Sequence, residues 1–310
     1  MQAMSSKLRV AVVGATGYTG AELVRLLQLH PHVSVTVVTS SRHAGEPLAR
    51  HATWLGTDLV LEPFVAENLE ADVAFLCQEN GFARQVAPGL AERIPVVDLS
   101  ADFRFADGAT YELVYGFAPV EPGVPVAYGL PELGHREAIR AARLVANPGC
   151  HVVAASLAIA PFARAGVLAG IPVVDSKTGV SGAGRSRAET AYLFSELHAD
   201  VSAYKVSGHR HVPEIEQNVG VQVRFTPHLL LVARGIYSTA YLPVSVVCDP
   251  SALLREAYAG EPFVTVVDAP PHLKDAVGSN RVVLHAEFDP HTNFVVVTAV
   301  LDNLVKGASG

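Results

Sequence analysis

Two textures of apolar patterning divide the chain. Leu8 to Val13 (LRVAVV) is a short β-branched run ending at a glycine, the mark of a strand buried on both faces of a parallel sheet. Glu22 to His30 carries Leu23, Val24, Leu26 and Leu27 at helical spacing, and Val33 to Val38 (VSVTVV) reads as a second strand. Together they predict a βαβ unit. Ala71–Cys77 and Ile94–Ser100 repeat the buried-strand pattern, with a helix predicted between them from Phe82 to Ala91. Strands alternating with helices predict an α/β domain built on a doubly wound, Rossmann-like parallel sheet.

Beyond Cys150 the texture changes. IPVVDSKTGVSGAG, HLLLVARGIYSTAYLPVSVV, PFVTVV, NRVVLHAEFD and NFVVVTAVLD are longer β-rich runs, while helical spacing is confined to SALLREAYAG and the segment after Cys150. Strand runs with segregated helices predict an α+β domain on a mixed or antiparallel sheet. The expected division is residues 1–147 for the first domain and 148–301 for the second, with 302–310 returning to the first. No internal repeat and no low-complexity linker is present.

The chain has 310 residues, 50% of them hydrophobic and 17% charged, with net charge −7 and no block of Lys or Arg. This composition sustains a large core. It argues against phosphate-neutralising contacts with nucleic acid. No run reaches the ~20 apolar residues that span a bilayer, and the start MQAMSSKLRVAVVGATG lacks a signal-peptide stretch. Cys77, Cys150 and Cys248 form no CxxC and no pairing pattern. A reducing, cytoplasmic setting is expected, with no membrane partner.

GATGYTG places Gly14, Gly17 and Gly20 between a predicted strand and a predicted helix. A dinucleotide site needs such glycines for a tight turn, for backbone approach to a pyrophosphate and for close packing of helix on sheet. Helix N-terminal N–H groups then face the phosphates. Gly14, Thr16, Gly17, Tyr18 and Gly20 are therefore candidate cofactor-binding residues. The second strand ends TSSRHAG, without an acidic residue before Glu46. Ser40 and Arg42 suit a ribose 2′-phosphate, which a carboxylate would repel, so NADP(H) is expected over NAD.

In ANPGCHVVAASLA, Cys150 stands where a loop becomes a helix. A thiol at a helix N-terminus has its thiolate stabilised by the dipole. Pro148 suits the entering turn, and Gly149 is expected to bend the backbone sharply. Cys77 and Cys248 fit inert thiols at strand positions. SGHRHVPEIEQN supplies possible partners: an extended His209–His211 would project both imidazoles to one face and Arg210 to the other. Glu214 would orient one imidazole, giving an activated sulfur nucleophile with an acid–base relay. The competing reading makes the two histidines zinc ligands, but nothing nearby completes a ligand set, and no metal is expected. SKTGVSGAGR, with Arg185, and DLSADFR, with Arg104, are loops suited to a substrate carboxylate or phosphate; surface loops explain either motif as well when taken singly.

As a set, GATGYTGAEL, DLSADFR, YGLPEL, NPGC, SGVSGAGR, GHRHVPEIEQ and DNLVKGASG resemble the N-acetyl-γ-glutamyl-phosphate reductase family of arginine biosynthesis, related to aspartate-semialdehyde dehydrogenase and glyceraldehyde-3-phosphate dehydrogenase. The motifs span essentially the whole chain. The resemblance implies reduction of an acyl phosphate with NADPH. Cys150 would form a thioester, His211 would activate the thiol and shuttle the proton, and Glu214 would hold His211. His209 and Arg104 would position substrate, and Ser181 and Gly182 would lie by the nicotinamide. A small-molecule substrate and a homo-oligomer, dimer or tetramer, are implied.

The sequence departs from the family at CHVV, where His151, Val152 and Val153 stand in place of Tyr or Asn, Pro or Ala, and Thr. It departs again at CQENG, where the family has Pro-His-Gly. After DNLVKGASG the family continues into a helix that packs on the cofactor domain, so a chain ending at Gly310 is expected to hold cofactor less well. Alternatives are reduction of a carrier-linked aminoadipyl or glutamyl phosphate, and a catalytically impaired NADP-binding relative. The SGAGR loop and the net charge of −7 favour the free N-acetylated substrate.

Overall fold

A computed structural model of the protein describes residues 7–186, 189–247 and 249–310; Cys248 lies outside them. The chain divides into two compact units. The first comprises residues 1–129 and 135–148 with Ser309, and the second residues 130–134 and 149–308 with Gly310.

The first unit is built on seven parallel strands: β1 (Leu8–Val13), β2 (Val33–Thr39), β3 (Leu61–Glu62), β4 (Val73–Leu76), β5 (Val96–Asp98), β6 (Val126–Tyr128) and β7 (Leu144–Ala146). Their order is β3-β2-β1-β4-β5-β7-β6, and every pairing is parallel. The apolar run Val10–Val13 of β1 follows from burial on both faces. Ala11 and Val13 pack with Ala83, Ala87 and Leu90 of the Ala83–Ala91 helix, and Val10 and Val12 with Leu23 and Val24 of the Tyr18–Gln28 helix.

That second helix starts four residues earlier than its apolar spacing predicts. Gly20 sits inside its first turn, because a Cβ there would overlap the carbonyl oxygen of Gly14. Close packing outweighs the low helix propensity of glycine.

The second unit carries a mixed sheet: β8 (Val173–Gly179), β9 (Val201–Ala203), β10 (Arg224–Leu230), β11 (Ile236–Pro243), β12 (Val264–Val266), β13 (Val282–Asp289) and β14 (Phe294–Leu301). The order is β12-β13-β14-β11-β8-β10-β9. β8–β10 and β12–β13 are parallel, and the other pairs antiparallel. Against this sheet packs the helix Cys150–Arg164, buried from His151 through Phe162. A helix apolar all round is one enclosed all round.

Residues 302–308, expected to return to the first domain, fold with the second unit. Asp302 is fully buried, ion-pairs with Arg234 at 2.8 Å and accepts the Gly278 N–H at 2.6 Å. Lys306 pairs with buried Glu132, whose segment 130–134 also belongs to this unit. A buried charge costs several kcal/mol unless it is paired, so these pairs hold both segments in place.

Candidate active site

Cys150 is the first residue of its helix, with Gly149 as the N-cap. Gly149 has φ −70° and ψ 146°, ordinary extended values, so the sharp bend expected of it does not occur. Its glycine identity has another cause. A Cβ at Gly149 would come within 2.6 Å of His211 Nε2. The imidazole occupies the space a side chain would fill, one residue before the sulfur. Gly307 packs from the other direction, where a Cβ would lie 2.7 Å from the Cβ of Cys150.

His211 is the N-cap of the helix Val212–Val219, with Pro213 in its first turn. The triplet is not extended as expected. His211 has φ −84° and ψ −13°, and its N–H donates to Nδ1 of His209 at 3.1 Å. This tight turn still buries both imidazoles and exposes Arg210, with ring centroids 4.8 Å apart. Because His209 Nδ1 accepts a backbone N–H, the proton of its neutral form lies on Nε2. Burial, and after it the charges of Arg210 and Lys205, lower the pKa of His209 to about 4. Glu214 is fully buried, and its Oε1 accepts the Gly149 N–H at 3.0 Å. The carboxylate thus ties the histidine helix to the cysteine loop.

His151, the residue after Cys150, is a further buried member of the cluster. It is 2% exposed; its Nδ1 lies 2.8 Å from Ser176 Oγ and its Nε2 3.2 Å from Tyr204 Oη. Its ring meets His209, His211 and Phe225 at centroid distances of 6.0, 5.8 and 5.4 Å. Burial, then the neighbouring His209, lowers its pKa to about 3, so it is neutral at pH 7. One ring nitrogen then donates and the other accepts. Tyr204 also packs on His209, and burial followed by the charge of Cys150 pushes its phenol pKa up, so the hydroxyl stays protonated. Sequence alone points to neither residue as a partner of His151: Ser176 opens SKTGVSGAGR but sits on β8 rather than in a loop, Tyr204 lies in no motif, and sheet pairing brings both to His151.

In the first unit the glycine turn has the form its motif requires. Gly14 has φ +91°, and a Cβ there would lie 2.8 Å from the Cys77 carbonyl oxygen. Gly17 is the N-cap of the Tyr18–Gln28 helix, where a Cβ would meet nothing closer than Gly14 O at 3.7 Å. Its bareness leaves room outside the protein rather than within it, the requirement for backbone approach to a phosphate. Thr16 Oγ1 reaches Ser40 Oγ at 3.4 Å, Ser40 is buried at the end of β2, and Tyr18 and Arg42 are exposed. Burial, then the charge of Asp98, raises the Cys77 thiol pKa and keeps it un-ionised, in line with an inert role.

Arg104 is 8% exposed, and its Nε and Nη2 donate to the carbonyls of Asn147 and Leu99 at 2.6 and 3.0 Å. That edge of the guanidinium braces the loop leading to Pro148. Asp102 of the same motif accepts the N–H groups of Gly81 and Arg84 and the Tyr111 hydroxyl. Asn80 of CQENG accepts the Ala101 N–H at 3.0 Å, so the departure from the family at that turn is built into DLSADFR. In the second unit, Ser181 and Gly182 lie on the turn Val180–Ala183 after β8, and Asn303 Nδ2 donates to Ser181 Oγ at 3.0 Å. Arg185 is exposed just beyond.

Comparison with known proteins agrees with both halves. The model of the semialdehyde dehydrogenase NAD binding domain matches residues 9–142, and that of the semialdehyde dehydrogenase dimerisation domain matches residues 150–303. The chain belongs to the semialdehyde dehydrogenase family. N-acetyl-gamma-glutamyl-phosphate reductase of Magnetococcus marinus is 43% identical over 99% of this chain and 93% of its own length. The protein of the same name from Thermus thermophilus is 43% identical over 97% of this chain and 93% of its own. Aspartate semialdehyde dehydrogenase with NADP from Candida albicans superposes with a TM-score of 0.70 at 16% identity, covering 98% of this chain and 96% of that one. At that identity the likeness is one of fold. The family's two-domain α/β architecture is the one described above, and the first unit is its nicotinamide-dinucleotide-binding half.

Proposed function

We propose that the protein reduces N-acetyl-glutamyl 5-phosphate to N-acetyl-glutamate 5-semialdehyde and phosphate, with NADPH, through a thioester on Cys150. It is an oxidoreductase of a family whose relatives at 43% identity are named for this reaction. The observation that carries the reading is the seating of His211 Nε2 against Gly149, beside a cysteine at a helix N-terminus.

The Cys150 thiol gives its proton to His211, and the thiolate attacks the acyl carbon. The carbon–oxygen bond to phosphate breaks and phosphate leaves, so the acyl group rests on sulfur. NADPH, when bound, supplies the hydride that this thioester needs. His211 gives its proton to the oxygen of the resulting thiohemiacetal; on collapse that hydroxyl proton passes back to His211 as the carbon–sulfur bond breaks, so the aldehyde departs and the Cys150 thiolate with protonated His211 is regenerated. Neutral His209, held by the His211 N–H, positions the acyl group, and Glu214 fixes His211 and the cysteine loop in one register.

Gly14, Thr16, Gly17, Tyr18 and Gly20 would hold the pyrophosphate end of the cofactor, and Ser40 and Arg42 the 2′-phosphate. Ser181 and Gly182 would serve the nicotinamide end. Arg185 contributes to substrate binding, and we assign Arg104 to bracing the NPGC loop, given its two carbonyl partners. The protein acts in arginine biosynthesis in the cytoplasm, as a homo-oligomer paired through the domain that matches the family's dimerisation model.

The test is phosphate-dependent reduction of NADP+ with N-acetyl-glutamate semialdehyde, comparing the native chain with Cys150→Ser. Turnover confined to the native chain supports the reading. Equal turnover in both, or none in either with aspartate semialdehyde turned over instead, overturns it.

A further inference from the structure

We propose that His43, Glu46 and His51 form a binding site for a late first-row divalent cation of the Zn2+ type, on the loop between β2 and β3. One ligand atom from each residue lies within 4.8 Å of the others. Glu46 Oε1 is 3.6 Å from His43 Nδ1, and Glu46 Oε2 is 3.1 Å from His51 Nε2. Around a tetrahedral zinc with bonds of about 2.0–2.2 Å, neighbouring ligand atoms stand about 3.3 Å apart. Each imidazole nitrogen therefore stands near that spacing from one oxygen of the carboxylate, and the ring centroids are 4.1 Å apart.

The backbone holds this arrangement before any ion arrives. Gly45 N–H donates to Leu61 O at 2.7 Å, Leu61 N–H to Glu46 O at 2.9 Å and Leu48 N–H to Leu59 O at 2.8 Å, so the loop is pinned to β3 on both sides of Glu46. Leu48 and Leu61 anchor it in the core. Such preorganisation spares the ion the ordering cost. Two imidazoles and one carboxylate select zinc, copper or nickel over magnesium and calcium, and leave a coordination position for water.

Arg50 Nη1, 3.5 Å from Glu46 Oε2, is the competing cation; its side chain is 70% exposed, and such a surface pair is weak enough to yield. No step of the proposed reaction uses these three side chains. Spacings of three and five residues in a loop carry no ligand pattern by themselves, so the sequence alone does not point to these three residues.

The site is tested by equilibrium dialysis of the purified full chain against ZnCl2, with MgCl2 in excess, followed by metal analysis. The native chain is expected to retain about one more equivalent of zinc than Glu46→Gln or His43→Ala/His51→Ala. Because the double substitution touches a half-buried loop, the single change His43→Gln, at the more accessible of the two histidines (37% against 14% exposed), checked by its metal-free melting curve, serves as the second variant and also loses that equivalent. Co2+ is expected to give visible ligand-field bands without a thiolate charge-transfer band. Equal zinc content in all chains, or a thiolate band showing the ion on a cysteine, overturns the site.

Discussion

His211 Nε2 stands where a side chain on Gly149 would stand, 2.6 Å from the position its Cβ would take. The glycine before Cys150 is thus defined by the imidazole beside it. Gly149→Ala must displace the imidazole, the cysteine loop or both, and misplacement by about 1 Å costs on the order of 10²-fold in rate. We expect kcat/KM to fall by about that factor while circular dichroism stays native. Activity within twofold of the native chain would show that the two residues do not share this space in solution.

His151 completes a buried network rather than filling a helix face. Replacing it with Phe leaves Ser176 Oγ and Tyr204 Oη without the ring nitrogens they now face. Stranded buried polar groups cost about 1–3 kcal/mol each, so His151→Phe is expected to lower the urea midpoint clearly. His151→Asn, which keeps one donor and one acceptor, is expected to lower it less. Equal midpoints for both variants would contradict the network.

The same histidines set an acid limit. His151 and His209 have folded-state pKa values of about 3 and about 4, against 6.5 when unperturbed. The unfolded chain therefore binds protons that the folded chain refuses. Stability is greatest above pH 6.5 and falls as pH drops toward 4, by at most about 1.4 kcal/mol per pH unit for each histidine. Asp98 in the first unit works the other way between 3.8 and about 6, since burial raises its pKa. Calorimetric unfolding at pH 5.5 in two buffers should show net proton uptake, reduced in His151→Asn. No difference between the variant and the native chain would contradict the assignment.

Much of this was legible in the sequence because it was local. The strand Leu8–Val13, the glycine turn and the start of a helix at Cys150 each follow from a few adjacent residues. What sequence reading missed depends on distant pairing. Ser176 and Tyr204 reach His151 only because β8 and β10 pair in parallel and β9 joins β10 antiparallel. A sharp bend is the expectation at Gly149 because a lone glycine does not reveal which side chain excludes its Cβ. The triplet His209–His211 was read as extended, yet alternation of burial arises equally from a turn locked by one backbone-to-ring hydrogen bond.

The proposed preference for NADPH rests on the end of β2. Arg42 is exposed beside buried Ser40, with no carboxylate to repel a phosphate before Glu46. Hydrogen bonds to charged groups contribute about 1.5–3 kcal/mol. Arg42→Ala is therefore expected to raise the KM for NADPH by about tenfold or more and leave that for NADH unchanged. Steady-state kinetics with both cofactors check this, and an equal effect on the two would assign Arg42 elsewhere.

The central claim is that the acyl group rests on the sulfur of Cys150. Mixing the chain with N-acetyl-glutamate semialdehyde and NADP+ in the absence of phosphate runs the reaction backwards as far as that covalent stage. Intact-mass spectrometry should then show one N-acetyl-glutamyl group on the native chain, matched by a burst of NADPH equal to the protein and lost in Cys150→Ser. NADPH production with no adduct on Cys150, or an undiminished burst in the serine variant, would contradict the account.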